Sequence, residues 1–201
     1  MIAIINYGLG NLASVKKALD AISVESVITD DPTEIRNSSA IILPGVGSFQ
    51  QGMQNLRKSG LVDILTDEVM NKKKPFLGIC LGMQLIFTDG TEPEPCKGLG
   101  WIKGKVVKFK NNGMRIPHMG WNELVDVDET KFSKQCQGDY YFIHSYHAIP
   151  ENDFIVSSKV NYTEKVVASV SYDNIFATQF HPEKSQKVGL ELLRNYFEKL
   201  S

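Results

Sequence analysis

The stretch Gly78-Ile79-Cys80-Leu81-Gly82 sets one sulfur between two glycines, inside the otherwise apolar run PFLGICLGMQLIF at residues 75 to 87. Glycine inside a strand or helix costs stability and marks a tight bend or a close backbone approach. G-x-C-x-G is the thiol counterpart of the G-x-S-x-G nucleophile elbow, in which a strand ends, the chain turns sharply and a helix begins at once. Such a turn would lift Cys80 above the edge of a sheet. It would also set the sulfur at a helix N-terminus, where free N–H groups and the positive dipole end favour a thiolate. The same five residues would equally suit a buried cysteine at a tight strand–helix junction.

A cysteine nucleophile needs a base, usually histidine, and the base needs an orienting group. Of the four histidines, His118, His144, His147 and His181, the last stands in Gln179-Phe180-His181-Pro182-Glu183. It follows an apolar strand pattern, Pro182 fixes the turn, and Glu183 is near enough to hold the imidazole. Alone, a His-Pro-Glu is an ordinary loop; beside Cys80 it reads as a base with its carboxylate. His144 and His147 read as strand or loop histidines satisfied locally. Acyl transfer also needs two backbone N–H groups aimed at the developing oxyanion. The N–H of Leu81 is one natural donor. Leu43-Pro44-Gly45-Val46-Gly47 ends another expected strand and offers more, though it also suits a plain strand-ending turn.

These groups need elements that carry them to one place. Ile2–Asn6 is a short apolar run, and Asn11 can cap a helix with Leu12, Val15, Leu19 and Ile22 at helical spacing. Val24–Thr29 and Ala40–Leu43 read as strands, the second stopped by Pro44-Gly45. A helical region covers roughly Phe49–Asn71 with a break near Gly60. Pro75–Cys80 is a fourth strand, and Leu81–Phe87 starts another helix. Strand and helix in alternation predict a parallel sheet covered on both faces, with ligands beyond the carboxyl ends of its strands. After about residue 99 the chain turns β-rich, in Trp101–Lys110, Tyr140–Ala148, Phe154–Val160, Val166–Tyr172 and Ile175–Phe180. A last amphipathic helix, Lys187 to Leu200, turns Val188, Leu192, Leu193, Tyr196, Phe197 and Leu200 inward. The reading is one α/β domain over residues 1–201, with antiparallel strands added late.

The bulk composition narrows the function further. With 22 Lys and Arg against 23 Asp and Glu the net charge is −1, which gives no general grip on nucleic acid. Lys72–Lys74 and Lys103, Lys105, Lys108 and Lys110 read as a solvated helix end and a solvated strand face. No apolar stretch approaches the roughly 20 residues of a membrane span, and the N-terminus lacks the pattern of a signal peptide. Three cysteines, Cys80, Cys96 and Cys136, without a CxxC pair predict neither a disulfide framework nor a zinc site, and a cytoplasmic setting.

Taken in order, Pro44-Gly45-Val46-Gly47, Gly78-Ile79-Cys80-Leu81-Gly82-Met83-Gln84 and Gln179-Phe180-His181-Pro182-Glu183-Lys184-Ser185 resemble a class I, triad-type glutamine amidotransferase. Asn6–Leu12, Gly98-Leu99-Gly100, Pro117-His118-Met119-Gly120-Trp121-Asn122 and Phe142–Tyr146 are similar to the family of glutaminase subunits of imidazole glycerol phosphate synthase. The resemblance covers essentially the whole chain. It implies a three-layer α/β/α, flavodoxin-like fold with a mostly parallel central sheet. It implies Cys80 as nucleophile, His181 as base and acid, and Glu183 as orienting carboxylate. Gly45, Val46 and Leu81 would form the oxyanion hole, the peptide after Pro44 reorienting to point its N–H inward. Gln84, Ser145 and Tyr146 would hold the glutamine. Asn11, His118, Met119, Trp121 and Lys184 would face a (β/α)8-barrel cyclase subunit in a heterodimer and guard an ammonia passage. No metal or organic cofactor is implied. Two other readings differ in role. A paralogous subunit would supply ammonia to a sugar amidotransferase of surface-polysaccharide synthesis, towards which Gly100-Trp101-Ile102 leans. A non-catalytic regulatory subunit would keep the fold alone.

Overall fold

The structure, a computed structural model, describes residues 1–128, 130 and 138–200, so Cys136 lies outside the described residues. Strand β1 (Ile2–Ile5) sends Ile2 and Ile4 to one face and Ala3 and Ile5 to the other, and all four are buried. A strand buried on both faces belongs inside a parallel sheet covered by helices. β2 (Ser26–Thr29), β1, β3 (Ala40–Gly45) and β4 (Phe76–Cys80) pair in parallel in that order, and β13 (Ile175–Thr178) continues the parallel set on the far side of β4. β12 (Lys165–Tyr172), β11 (Val156–Asn161), β8 (His118–Val125) and β9 (Asp139–His144) then extend the sheet antiparallel to nine strands.

Helices α1 (Leu12–Ala21) and α6 (Gln186–Glu198) cover the face that carries Ile2, Ile4, Leu77 and Ile79. The other face carries Ala3, Ile5, Ile41 and Leu43. It is covered by α3 (Phe49–Lys58), α4 (Leu61–Thr66) and α5 (Leu81–Leu85). A four-stranded sheet, β10 (Tyr146–Pro150), β7 (Ile102–Lys108), β5 (Phe87–Gly90) and β6 (Cys96–Lys97), adds to that layer. The result is the expected three-layer α/β/α arrangement. Its parallel order, β2-β1-β3-β4-β13, is the flavodoxin-like one, whose ligand site lies at the carboxyl ends near the β1/β3 switch.

Local details depart from the sequence reading for identifiable reasons. Pro44-Gly45 does not stop β3, which runs through Gly45. Pairing with β1 ends at Ile42, so beyond it β3 is an edge on that side, where proline is tolerated. The helix after Cys80 ends at Leu85 rather than Phe87, because the Leu85 and Ile86 carbonyls accept from Leu99 and Ile102 N–H. Tyr140–Ala148 is two strands in two sheets, parting at Ser145. β8 and the short helix α2 (Pro32–Asn37) join the expected elements. Leu200 is exposed rather than inward. Lys74 is not a solvated helix end. Its Nζ donates to the Ile35 and Arg36 carbonyls at the end of α2 and pairs at 2.7 Å with Glu68, whose side chain is 2% exposed.

Candidate active site

Cys80 is the last residue of β4 and the cap of α5, with φ +54° and ψ −106°. A left-handed φ is uncommon for a residue with a β-carbon and costs energy that the surroundings must supply. The two glycines make room for the turn. A Cβ on Gly78 would stand 3.0 Å from the backbone of Gly82 and Met83, and one on Gly82 would run into the Leu43 carbonyl of β3. Strand, turn and helix therefore approach at backbone distance, which leaves no room for a side chain at Gly82 and little at Gly78.

The parallel pairing of β13 with β4 sets Thr178 beside Ile79, so the chain that follows emerges next to Cys80. His181 Nδ1 lies 2.7 Å from Glu183 Oε1, and both side chains are 2% exposed. A carboxylate only accepts, so Nδ1 carries the proton and Nε2 is the free face of the ring. Nε2 is buried on the side of the ring that meets Cys80. Burial alone would pull the imidazole down, but the neighbouring Cys80 and then Glu183 outweigh it and push His181 up to about 10. Both neighbours favour the protonated ring.

Around this couple lies a buried polar line. Gln179 Nε2 is 3.7 Å from Cys80 Sγ, and Gln179 Oε1 accepts from Gln84 Nε2 at 3.0 Å. Gln84 Nε2 also donates to the Tyr146 carbonyl at 3.0 Å, which accepts from His144 Nδ1 at 2.8 Å. His144 Nε2 meets His118 Nδ1 at 3.0 Å. Burial pushes His118 down to about 4 and His144 to about 3, so both rings are neutral at physiological pH. On the other side of Cys80, Gly45 is its register partner across β3 and β4. The Gly45 Cα is closed in by Tyr7 Oη and Leu81 Cβ, while Val46 is 39% exposed.

A family profile, Glutamine amidotransferase class-I, matches residues 3–200. The chain is 47% identical to "Imidazole glycerol phosphate synthase subunit HisH 1" of Campylobacter jejuni (strain RM1221), over 98% of each chain. It is 48% identical to "Imidazole glycerol phosphate synthase subunit HisH" of Pyrococcus furiosus, over 97% of each. The chain belongs to the class I glutamine amidotransferases. Among solved structures, PurLQS from Thermotoga maritima superposes with a TM-score of 0.75 at 18% identity, covering 100% of this chain and 98% of that one, and shows the same fold.

Within this amidotransferase the structure brings Cys80, His181, Glu183, Gly45, Leu81, Gln84 and Tyr146 to one place, at the carboxyl ends of β3, β4 and β13. Ser145 lies at the parting of β9 and β10, and its carbonyl accepts from Phe109 N. Met119 and Trp121 are 59% and 48% exposed on the outer face of β8, where Trp121 meets Tyr141 edge-on and Lys184 lies over the Tyr141 ring. Asn11 is exposed and caps α1. His118 corrects the expectation. It points inward and is 2% exposed, with its ring stacked on Phe142 and Tyr162, so it offers no surface to a partner. Trp101 packs edge-on against Phe76 and donates to Thr66, so its identity reports on core packing and not on a partner.

Three residues near the site were not singled out from sequence. Gln179 was read only as a flank of His181. Tyr7 places a buried hydroxyl, without a partner among the described residues, against Gly45. Glu92 accepts from Phe49 N at the start of α3 and sets a carboxylate near Tyr146. Gln179 and Tyr7 lie inside quoted motifs and Glu92 lies in none, but only the fold shows what each of the three touches.

Proposed function

We propose that this chain, a single amidotransferase domain over residues 1–201, is the glutaminase subunit of an imidazole glycerol phosphate synthase in histidine biosynthesis. The observation that carries the chemistry is Cys80 on a strained elbow beside a buried imidazole held by Glu183 at 2.7 Å. The full-length identity to the synthase subunits supports the pathway. Among the described residues no helix is long and apolar enough to cross a membrane.

In this reading the Cys80 thiolate attacks the carboxamide carbon of glutamine and a C–S bond forms. The negative oxygen is met by the Leu81 N–H and by the Gly45–Val46 backbone. His181, charged in the resting site, gives its proton to the departing nitrogen as the C–N bond breaks, so ammonia leaves. Water then attacks the thioester, His181 takes its proton, and glutamate is released with the thiol restored. The Gln84 amide oxygen and the Glu92 carboxylate suit the α-ammonium of the substrate, and the Ser145–Tyr146 backbone its carboxylate. Ammonia in water at neutral pH is mostly ammonium and does not attack carbon. A partner that takes it directly therefore belongs to the function. The exposed Met119 and Trp121, with Tyr141 and Lys184, form the docking face for a (β/α)8-barrel cyclase, and Asn11 lies on the same interface. β9, which carries Tyr141, also carries the Ile143 carbonyl, 3.9 Å from Cys80 Sγ, and this supports a docking face close to the nucleophile.

The test is glutamine-dependent synthesis by the chain reconstituted with a cyclase barrel, compared with ammonia-dependent synthesis. Cys80→Ala should abolish the first and leave the second intact. Unchanged glutamine-dependent activity would remove Cys80 from the mechanism. Fast glutamine turnover by the isolated chain would contradict dependence on the partner.

A further inference from the structure

The Tyr146 carbonyl oxygen can only accept, and two groups meet it, His144 Nδ1 and Gln84 Nε2. It therefore fixes both. His144 must carry its proton on Nδ1, and Gln84 must turn its NH2 towards Tyr146. The same Gln84 nitrogen lies 3.0 Å from the Gln179 amide, which must answer with its oxygen. The Gln179 NH2 is then forced to the other side, 3.7 Å from Cys80 Sγ. The oxygen and nitrogen of an amide are alike in shape, and only such a network tells them apart. Here one backbone carbonyl sets the polarity of the whole line. Turned the other way, Gln179 would set NH2 against NH2 at Gln84 and its carbonyl oxygen against the sulfur.

The line is closed to water. Gln179 is 0% exposed and Gln84 4%. A buried amide is costly unless its groups are paired, so each member is held where its neighbours need it. A hydrogen bond to an ionised acceptor is roughly twice as strong as one between neutral groups. The form of sulfur that attacks is the thiolate and the thioester sulfur is neutral, so an N–H aimed at the sulfur favours the attacking form.

We propose that Gln179 is a further catalytic residue: its amide N–H holds the Cys80 sulfur as the thiolate, and Gln84 holds that amide in its working orientation. The glutamine-binding end of the site and the nucleophile then share one amide, and a change at Gln84 reaches the sulfur without touching it. The role rests on the glutaminase reading, yet its test does not need turnover.

The experiment measures the rate at which iodoacetamide alkylates Cys80 in the full chain, alone and bound to its barrel, by peptide mass mapping, with Cys96 as an internal standard. Gln179→Met keeps the volume and removes both links, and should slow alkylation at Cys80 about ten-fold or more, the worth of one hydrogen bond to a charged group. Gln179→Glu keeps an acceptor for Gln84 but sets a carboxylate against the sulfur, and should slow it further. Gln84→Met leaves Gln179 in place without its anchor, and should slow Cys80 alkylation several-fold with Cys96 unchanged. In the complex, the kcat for glutamine should fall more than KM rises for Gln179→Glu. A wild-type alkylation rate in Gln179→Met or Gln179→Glu overturns the role at the sulfur, and a wild-type rate in Gln84→Met overturns the anchoring. If the Gln179 variants fail to fold, the Gln84→Met result decides alone. Absence of glutamine turnover in the wild-type complex overturns the functional reading instead.

Discussion

Gly82→Ala is the sharpest perturbation of the elbow. Gly82 has ordinary helical backbone, so alanine suits the helix itself better by about 1 kcal/mol. The obstacle is β3. The new methyl would stand 2.8 Å from the Leu43 carbonyl carbon and closer still to its oxygen. Both sides of that contact are backbone, and no rotamer relieves it. Overpacking of this kind costs about 1–3 kcal/mol, leaving a net loss of about 2 kcal/mol at most. In a chain of 201 residues this lowers Tm by only about 4–8 °C. Activity responds more steeply. To make room, either α5 moves and carries Leu81 and Cys80, or β3 moves and carries Gly45. A displacement of about 1 Å at reacting groups costs about 100-fold in rate. The expected result is a folded protein with kcat for glutamine reduced about 100-fold in the reconstituted complex, and with ammonia-dependent synthesis intact. Gly78→Ala, with its methyl at 3.0 Å from the same helix, should act in the same direction and less. Gly100→Ala, at φ +70° with open space around it, should cost about 1–2 kcal/mol of stability and no activity. Turnover by Gly82→Ala within about three-fold of wild type would refute the account of the elbow.

Glu183→Gln removes one of the two charges that hold His181 up, and should lower kcat by about 10²–10⁴-fold with little change in Tm, read by glutaminase assay and calorimetry. Lys74→Met leaves Glu68 buried with only the exposed Lys72 to pair it, and should cost about 3 kcal/mol by urea denaturation. Trp121→Ala should weaken barrel binding about 10–100-fold by calorimetry, with no loss of monomer stability. His118 and His144 are held below the ordinary histidine value, so below about pH 6.5 the unfolded chain takes up protons that the folded chain refuses. Stability should fall as pH drops from 6.5 towards 4, by up to about 1.4 kcal/mol per pH unit for each ring. His181 is shifted the other way. Its contribution is fully present below 6.5 and is lost as pH rises towards about 10, so it does not mask the acid loss. Urea midpoints that stay flat between pH 6.5 and 4.5 would contradict the buried neutral pair.

What could be read from the chain and what could not divide along sequence distance. The elbow is a five-residue device, and the histidine with its carboxylate spans three, so local chemistry was enough to find Cys80, His181 and Glu183. The parallel strands were legible for a related reason, since burial on both faces leaves a continuous apolar run. Gln179 meets Gln84 across 95 residues and Cys80 across 99, and no spacing rule reaches that far. The early end of α5 is likewise set from outside, by N–H groups of Leu99 and Ile102.

His118 is the instructive case, because strand geometry alone separates it from Met119 and Trp121. The resemblance puts His118, Met119 and Trp121 of Pro117-His118-Met119-Gly120-Trp121-Asn122 in one partner-facing set. In a strand the side chains alternate, so Met119 and Trp121 can share an outer face only if His118 and Gly120 do not. Once β8 is known to be a strand, the half-exposed Met119 and Trp121 compel an inward His118. The inward set and the outward set then carry different tasks. Met119 and Trp121 present exposed apolar surface, while His118 joins the buried line through His144 to Tyr146, Gln84 and Gln179. The docking face proposed above therefore lies on the strand that anchors the far end of that line. The same six residues set an exposed apolar face and the end of a buried polar line on opposite sides of one strand.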